Sequence, residues 1–461
     1  MKFNVLVIFI LLTSCKLGPN YKKPEVIVPD KFMESGMDWE QANPSDGKNR
    51  GDWWKIYNDP VLNELEEKLN QNNQNIKAAL SSYKMTLASV DKARATYIPS
   101  VTLSENIVRE KQLVSGPTSK TAISSNHSLL LNASWEADLW GNVARTVESS
   151  IASAESAKAL LASTMLSSQA SLAQYYFELR MIDKDQEILD NIVSTNQTIL
   201  LYNKNRYLSG VAGEQDIVQA ENQLQSAKVL SQNNQITRAQ YQHAIAVLIG
   251  EPASNFKIHT HSNAEFPDIP IPILLPSTML ERRPDVANAE RQVAIANAQI
   301  GINKSAFFPI LSISHLRTYE GSGTRNLLSF PILLWSVGPE LALSISNLAS
   351  YNSVNKITKE NYNQAVANYR NTVLAAFQDV EDNLVALRII KEQVKVQKLA
   401  KINAKRNLDI AKNQFKAGTI DKLALSNSEI TYYNAEKSLN DAYGLRATTS
   451  VALIKALGGG F

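Results

Sequence analysis

The chain has 461 residues, with 47 Lys and Arg against 44 Asp and Glu, a formal charge of +3 and a single cysteine. So neutral a balance argues against nucleic acid as a partner, and one cysteine excludes an intrachain disulfide. Past the N-terminus no run approaches the roughly eighteen consecutive apolar residues of a membrane-spanning helix, so any crossing of a bilayer has to use strands.

Lys2, an apolar run from Val5 to Leu12, and Leu12-Thr13-Ser14-Cys15 form a short basic start, a short apolar core and small residues before a cysteine. That is the pattern of a bacterial lipoprotein signal, with residues 1–14 removed and Cys15 acylated as the new first residue. Removal takes one cation, Lys2, and lowers the formal charge from +3 to +2. Residues 15–60 then read as a lipid-anchored N-terminal segment.

Proline and glycine are absent from residues 142–209, 214–249, 340–417 and 419–443, while Gly141, Gly210, Gly213, Gly250, Gly418 and Gly458 stand at the joints. Gaps this long predict rods of the coiled-coil kind. If helical throughout, residues 142–209 would extend about 100 Å at 1.5 Å per residue. Val143, Val147, Ile151, Ala154, Leu161, Met165, Leu172, Tyr176 and Leu179 recur at threes and fours and form one stripe, which suits either a ring of closely packed helices or an ordinary bundle core.

The chain is written twice. An offset of 208 carries Arg180 to Arg388, Tyr207 to Phe415, Gly210 to Gly418, Glu221 to Glu429 and Gly250 to Gly458; an offset of 210 carries Ala79 to Ala289, Tyr97 to Phe307 and Pro99 to Pro309. The repeats are placed at 61–250 and 276–461, with a Pro-rich linker at 251–275.

Within each repeat the pattern shifts toward period two after the proline. Val101, Leu103 and Ile107, then Leu129, Leu131, Ala133 and Trp135, flank a turn near Ser115-Gly116-Pro117; Leu311 to Leu316, then Leu341, Leu343 and Ile345, flank a region with Gly321, Gly323 and Pro331. Tilted membrane strands need about 9 to 11 residues, and the smallest membrane barrels have about eight strands. Four strands cannot close a barrel, and lipid forbids an open edge, so several chains must share one.

No nucleotide loop, metal cluster or catalytic constellation is visible, so neither an enzyme nor a cofactor is expected. His259 and His261 are a two-apart pair without nearby Cys or carboxylate partners and read as solvated linker histidines; Asp379, Glu381 and Asp382 read as a solvated or lumenal helix face.

Several stretches resemble the outer-membrane factor family of TolC-like channels, in its lipoprotein branch of OprM- and NodT-like members. They include Cys15 with Leu17-Gly18-Pro19-Asn20-Tyr21; Trp53-Trp54 with Asp59-Pro60; and Trp135 with Asp138-Leu139-Trp140-Gly141. Further along come Glu281-Arg282-Arg283-Pro284-Asp285-Val286, Ala298-Gln299-Ile300-Gly301 with Phe307-Phe308-Pro309, and Ala376-Phe377-Gln378-Asp379. The resemblance implies an α+β, mainly helical fold: two tandem repeats of helix, β-hairpin and helix, with four strands per chain. In a homotrimer these would build a twelve-stranded transmembrane β-barrel and a long periplasmic α-helical barrel. It implies an efflux duct in the Gram-negative outer membrane, with a periplasmic adaptor and an inner-membrane pump of the resistance-nodulation-division type as partners. Lys16 after the cysteine implies sorting to that membrane.

The functional residues of a passive duct are expected at the periplasmic tip, where the helices turn at Gly210 and Gly418. By the resemblance, Asp216 matches an acidic gate position and Leu423 an apolar one, whereas Asn427 stands where related channels commonly have Asp and Ile430 where the closest ones carry charge. Asp216 and Asn427 are equally placed to be helix caps. Two other readings stay open: the duct of a type I protein-secretion system, and a lipid-anchored periplasmic coiled-coil scaffold that never enters the bilayer.

Overall fold

The computed structural model describes residues 16–29, 32–33, 51–114, 120–260, 266, 282–321 and 332–459. Cys15 and the leader, the turn at residues 115–117, His261, Gly323, Pro331 and most of the Pro-rich linker lie outside the described residues. A short 3-10 turn at Trp53–Tyr57 is followed by α1 (Pro60–Asn72), α2 (Gln74–Ala95), β1 (Ser100–Val114), β2 (Lys120–Ala137), α3 (Asn142–Leu208) and α4 (Glu214–Leu248). Then come α5 (Pro284–Ser305), β3 (Ile310–Gly321), β4 (Ile332–Ala342), α6 (Ile345–Lys416) and α7 (Lys422–Ala456). The repetition holds in length as well as order: α2 and α5 have 22 residues each, α4 and α7 have 35 each, and α3 and α6 have 67 and 72. Two compact units result, one of residues 1–25, 81–158 and 288–370, the other of 26–80, 159–287 and 371–461.

The first unit carries a four-stranded antiparallel sheet in the order β1-β2-β3-β4. Side chains alternate across a strand, so register decides what each face presents. One face is mainly apolar: Leu103, Leu131, Arg317 and Trp335 stand in one row and Val101, Ala133, His315 and Val337 in the next, with Arg317 laid on the Tyr319 ring. The opposite face has Ser100, Ser134, Ser314 and Gly338 in one row and Thr102, Asn132, Leu316 and Ser336 in another. β1 and β4 are the two edges, and Pro339 sits in β4, where an edge strand tolerates a missing N–H.

The strands differ from expectation in two ways. β1 and β2 run to 15 and 18 residues, past the ends of β3 and β4 with 12 and 11. β4 starts at Ile332 and ends at Ala342; Leu343 lies beyond it, and Ile345 opens α6. The run Ile332-Leu333-Leu334-Trp335 has no alternation and so gives no period-two signal.

Residues 16–25 form a strap across the same unit. Leu17 donates its N–H to the Trp140 carbonyl at 3.1 Å, and Arg145, 1% exposed, donates to the carbonyls of Leu17 and Gly18 and to Asn20 Oδ1 at 3.0 to 3.1 Å. Farther along, Asn297 donates to the Pro19 carbonyl and Tyr21 to Glu290. Gly18, at φ +86°, presses so closely on Gly301 that a Cβ would lie 2.6 Å from the Gly301 Cα.

In the second unit the main core gathers Trp53, Trp54, Leu62, Leu69, Leu172, Tyr176, Phe177, Ile245, Val451 and Ile454. Asp59 caps α1, accepting from Val61 and Leu62 N–H and also from Tyr176 Oη and Arg180 Nη1 at 2.8 and 2.5 Å. Asp379 and Asp382 are exposed, as a solvated face requires, while Asp379 and Glu381 also hold structural contacts. Asp379 receives Arg283 at 3.0 Å, and Glu381 accepts the Met33 N–H at 2.6 Å. Gly444 does not break α7; a Cβ there would lie 2.8 Å from Met181 Cγ, so it lets α7 pack tightly on α3.

Candidate functional site

Helix pairs α3/α4 and α6/α7 turn through two corners of the same design. Gly210 and Gly418 hold φ +72° and +73°, the left-handed conformation that closes a helix without cost only for glycine. After each, the next N–H reaches back five residues, Val211 to the Arg206 carbonyl and Thr419 to the Gln414 carbonyl, both at 3.0 Å. No atom lies within 4 Å of a Cβ built on either glycine, so φ rather than crowding selects the residue.

The exits differ. Asp421 caps α7, its Oδ1 accepting the Ala424 N–H at 2.8 Å. The matching position of the first repeat is Gly213, which has no side chain to offer; Asp216 reaches back instead and accepts the Gly213 N–H at 3.3 Å. Asn203, buried in α3, donates to the Asp216 carbonyl at 3.2 Å and ties the first turn of α4 down. Behind the second corner Leu408, Ala411 and Leu425 are buried together, with Ile420 and Tyr432 against them, while Leu423 is only half-buried.

Asn427 and Ile430 come together on one wall of a groove of about 1000 Å³ lined by α3, α4 and α7. Asn434 and Lys437 continue that wall, Gln219 and Asn222 are among the α4 side chains facing it, and Leu189 and Ile192 come from α3. No carboxylate lines the groove; Asp216 and Leu423 are not part of it. The four wall residues of α7 follow spacings of three, four and three, which puts them on one helix face; of these the resemblance singled out Asn427 and Ile430. The amides opposite it on α4 carry no sequence signal that sets them apart from other isolated Asn and Gln. Among the described residues no group of three or more His, Cys, Asp or Glu could hold a metal ion, and His259 is exposed.

A family model described as outer membrane efflux protein matches residues 65–251 and 275–459. The chain belongs to that family. It is 27% identical to nodulation protein T of Rhizobium leguminosarum bv. trifolii, over 98% of this chain and 96% of that protein. To the pyoverdine export outer membrane protein OpmQ of Pseudomonas aeruginosa it is 26% identical, over 94% and 92%. Among solved structures, the outer-membrane channel OprN superposes with a TM-score of 0.84 at 25% identity, covering 97% of this chain and 99% of that one. The open-state MtrE outer membrane channel of Neisseria gonorrhoeae gives 0.83 at 25% identity, covering 97% and 98%. This outer membrane efflux protein is therefore the outer-membrane channel component of an efflux system, and its helices form the periplasmic part.

Proposed function

We propose that three copies of this chain close their sheets into one transmembrane barrel and conduct substrates passively, without catalysis, toward the cell exterior. The observation that carries this reading is the four-stranded sheet with one mainly apolar face, one mainly polar face and two unpaired edges. In lipid both edges must be paired, and a second and third copy supply the pairing. The energy comes from partners, a periplasmic adaptor and an inner-membrane pump of the resistance-nodulation-division type, which also set the substrate.

The gate in this reading is the corner region after Gly210 and Gly418, with Leu423, Asn427 and Ile430 constricting the second-repeat side and Asp216 the first. Asn427 and Ile430 on a groove wall without carboxylates support a constriction held by amide and apolar contacts more than by charge. Cys15 carries the acyl chains, and the strap held by Arg145 keeps the residues just after it against the first unit.

The test is planar-bilayer conductance of the purified mature protein together with its mass in detergent. Long-lived small steps from a trimer are expected, and Asn427→Asp should introduce block by multivalent cations. A monomer without conductance would overturn the channel; a conducting trimer whose Asn427→Asp variant matches the wild type would remove Asn427 from the gate.

A further inference from the structure

In the second unit, where α3 packs on α7, a carboxylate is buried between the two helices. Asp185, 3% exposed, accepts Lys437 Nζ on Oδ2 and Asn440 Nδ2 on Oδ1, both at 2.8 Å. The same Lys437 ammonium donates to both carboxylate oxygens of Asp441 at 2.9 Å, and Asn440 also donates to the Met181 carbonyl at 2.9 Å. One turn farther, Gly444 meets Met181. Two carboxylates thus share a single ammonium beside a close approach of α7, a helix of the second repeat, to α3, a helix of the first.

Several other charged groups around this seam are paired elsewhere. Lys184 pairs with Glu187 on α3, Asp183 with Arg238 of α4, and Lys401 of α6 with Glu436. Glu178, a turn back on α3, is itself pushed up by burial and by Asp441. The charges acting on Asp185 are therefore Lys437, which favours its ionised form, and Asp441, which opposes it. Burial outweighs the lysine, and the Asp185 carboxyl is pushed up to about 6.

The sign follows from linkage. A packed seam that binds a proton more tightly than a loosened, hydrated one is stabilised by acid; its extra stability is full below the ordinary carboxylate range and is lost as pH rises through the raised value. Acid does not simply break this ion pair: it removes a buried charge that the shared ammonium only half compensates.

We propose that Asp185, Lys437 and Asp441 form a proton-operated latch between α3 and α7 that tightens as the surroundings acidify and loosens at neutral and alkaline pH. Lys437 lines the solvent-open groove, which brings water to the edge of the cluster. Asn427 and Ile430 lie on the same wall of α7, about 10 to 15 Å along the helix at 1.5 Å per residue. A loosened seam therefore frees the segment that carries them. Any effect on conductance rests on the channel reading above; an effect on the seam itself does not.

The experiment is hydrogen exchange of the intact protein in detergent from pH 5 to pH 8, corrected for the known pH dependence of free amides, read over residues 181–188 and 437–444. The expected local opening constant falls about tenfold between pH 7 and pH 5. Asp185→Asn, which mimics the protonated carboxyl at equal size, should abolish that dependence; Asp441→Asn, which removes the opposing charge, should move it to lower pH. An opening constant that changes by less than twofold in the wild type, or the same dependence in Asp185→Asn, would overturn the latch. Conductance recorded over the same pH range separates the two readings: a channel that conducts but has a pH-independent seam fails the latch alone, and a protein with a pH-dependent seam but no current fails the channel alone.

Discussion

The two repeats make one joint in the same place with different chemistry. In the first, Asn73 stands just before α2, donates Nδ2 to the Leu248 carbonyl at the end of α4 at 2.8 Å, and accepts the Ile76 N–H at 3.0 Å. In the second, the matching residue is Arg283, just before α5, which donates to the matching carbonyl, Ala456, at 3.0 Å. Gly250 and Gly458 follow, each at positive φ, facing the backbone of Asn72 and Arg282. The geometry of the repeat is thus held by backbone and glycine, while the side chain that fills the joint is free to diverge. The divergence is electrostatic. Arg283 adds ion pairs to Asp285 at 2.7 Å and Asp379 at 3.0 Å, whereas Asn73 adds no charge.

Breaking the charged joint should cost most. Arg283 is largely buried, and Arg283→Met would leave the Ala456 carbonyl and two carboxylates without their donor, an expected loss of about 3 kcal/mol, held at the low end because Asp285 and Asp379 still reach water. Asn73→Ala should cost only about 1 to 2 kcal/mol, for one cap and one hydrogen bond. Thermal or denaturant unfolding of the two variants measures the difference, and equal losses would mean that the charges contribute nothing. pH supplies a second readout. Arg283 hydrogen-bonds and ion-pairs with Asp285, and it holds that carboxyl below its ordinary value against the opposing effect of burial. The stability this contributes is present above the ordinary carboxylate value and is lost as pH falls through the depressed one. Arg283→Met should remove that acid-dependent part.

The glycines sharpen the comparison at a smaller scale. Both would be strained by any side chain at φ +75° and +91°. A Cβ on Gly250 would also lie 2.7 Å from the Asn72 carbonyl oxygen, against 3.0 Å from the Arg282 carbonyl carbon for Gly458. Both contacts are backbone and cannot turn aside. Gly250→Ala is therefore expected to lose about 2 to 3 kcal/mol and Gly458→Ala about 1 to 2. A reversed order would mean that the second joint is the less able to yield.

Much of this architecture was legible because it rests on long-range regularities. Gaps without proline or glycine outline α3, α4 and α6, and the paired offsets relate Gly210 to Gly418 and Gly250 to Gly458 before any geometry is known. What stayed hidden depends on single contacts. Gly444 carries no sequence signal of its role, which is to give α7 room against Met181. Ile332 to Trp335 carry no alternation and yet begin a strand. At the corner, the family resemblance singled out Asn427 and Ile430, and the structure puts both on one wall of a groove. The cluster of Asp185 with Lys437 and Asp441 joins residues some 250 apart, with no motif to link them. Glu66 is fully buried with both oxygens unpartnered and its carboxyl pushed well up by burial, and nothing about Glu-Glu in an amphipathic helix announces it.

The smallest expected effects lie at the two corners, where like turns are capped by unlike means. Asp421 is itself the residue before α7, and its 2.8 Å bond to the Ala424 N–H is the usual side-chain cap, so Asp421→Ala should cost about 1 kcal/mol. Asp216 is the third residue of α4, is exposed, and reaches the Gly213 N–H only at 3.3 Å, so Asp216→Ala should cost a few tenths, about 0.3 to 0.5 kcal/mol, mostly through the helix dipole. The first turn of α4 keeps Asn203 as an independent tie to the Asp216 carbonyl, which the substitution leaves in place. Exchange rates of the first-turn amides of α4 and α7 separate the two. If Asp216→Ala loosens α4 as much as Asp421→Ala loosens α7, Asp216 is a structural cap of full strength and its carboxylate is less available to a gate. If α4 barely responds, the carboxylate is held loosely enough to face whatever passes the corner.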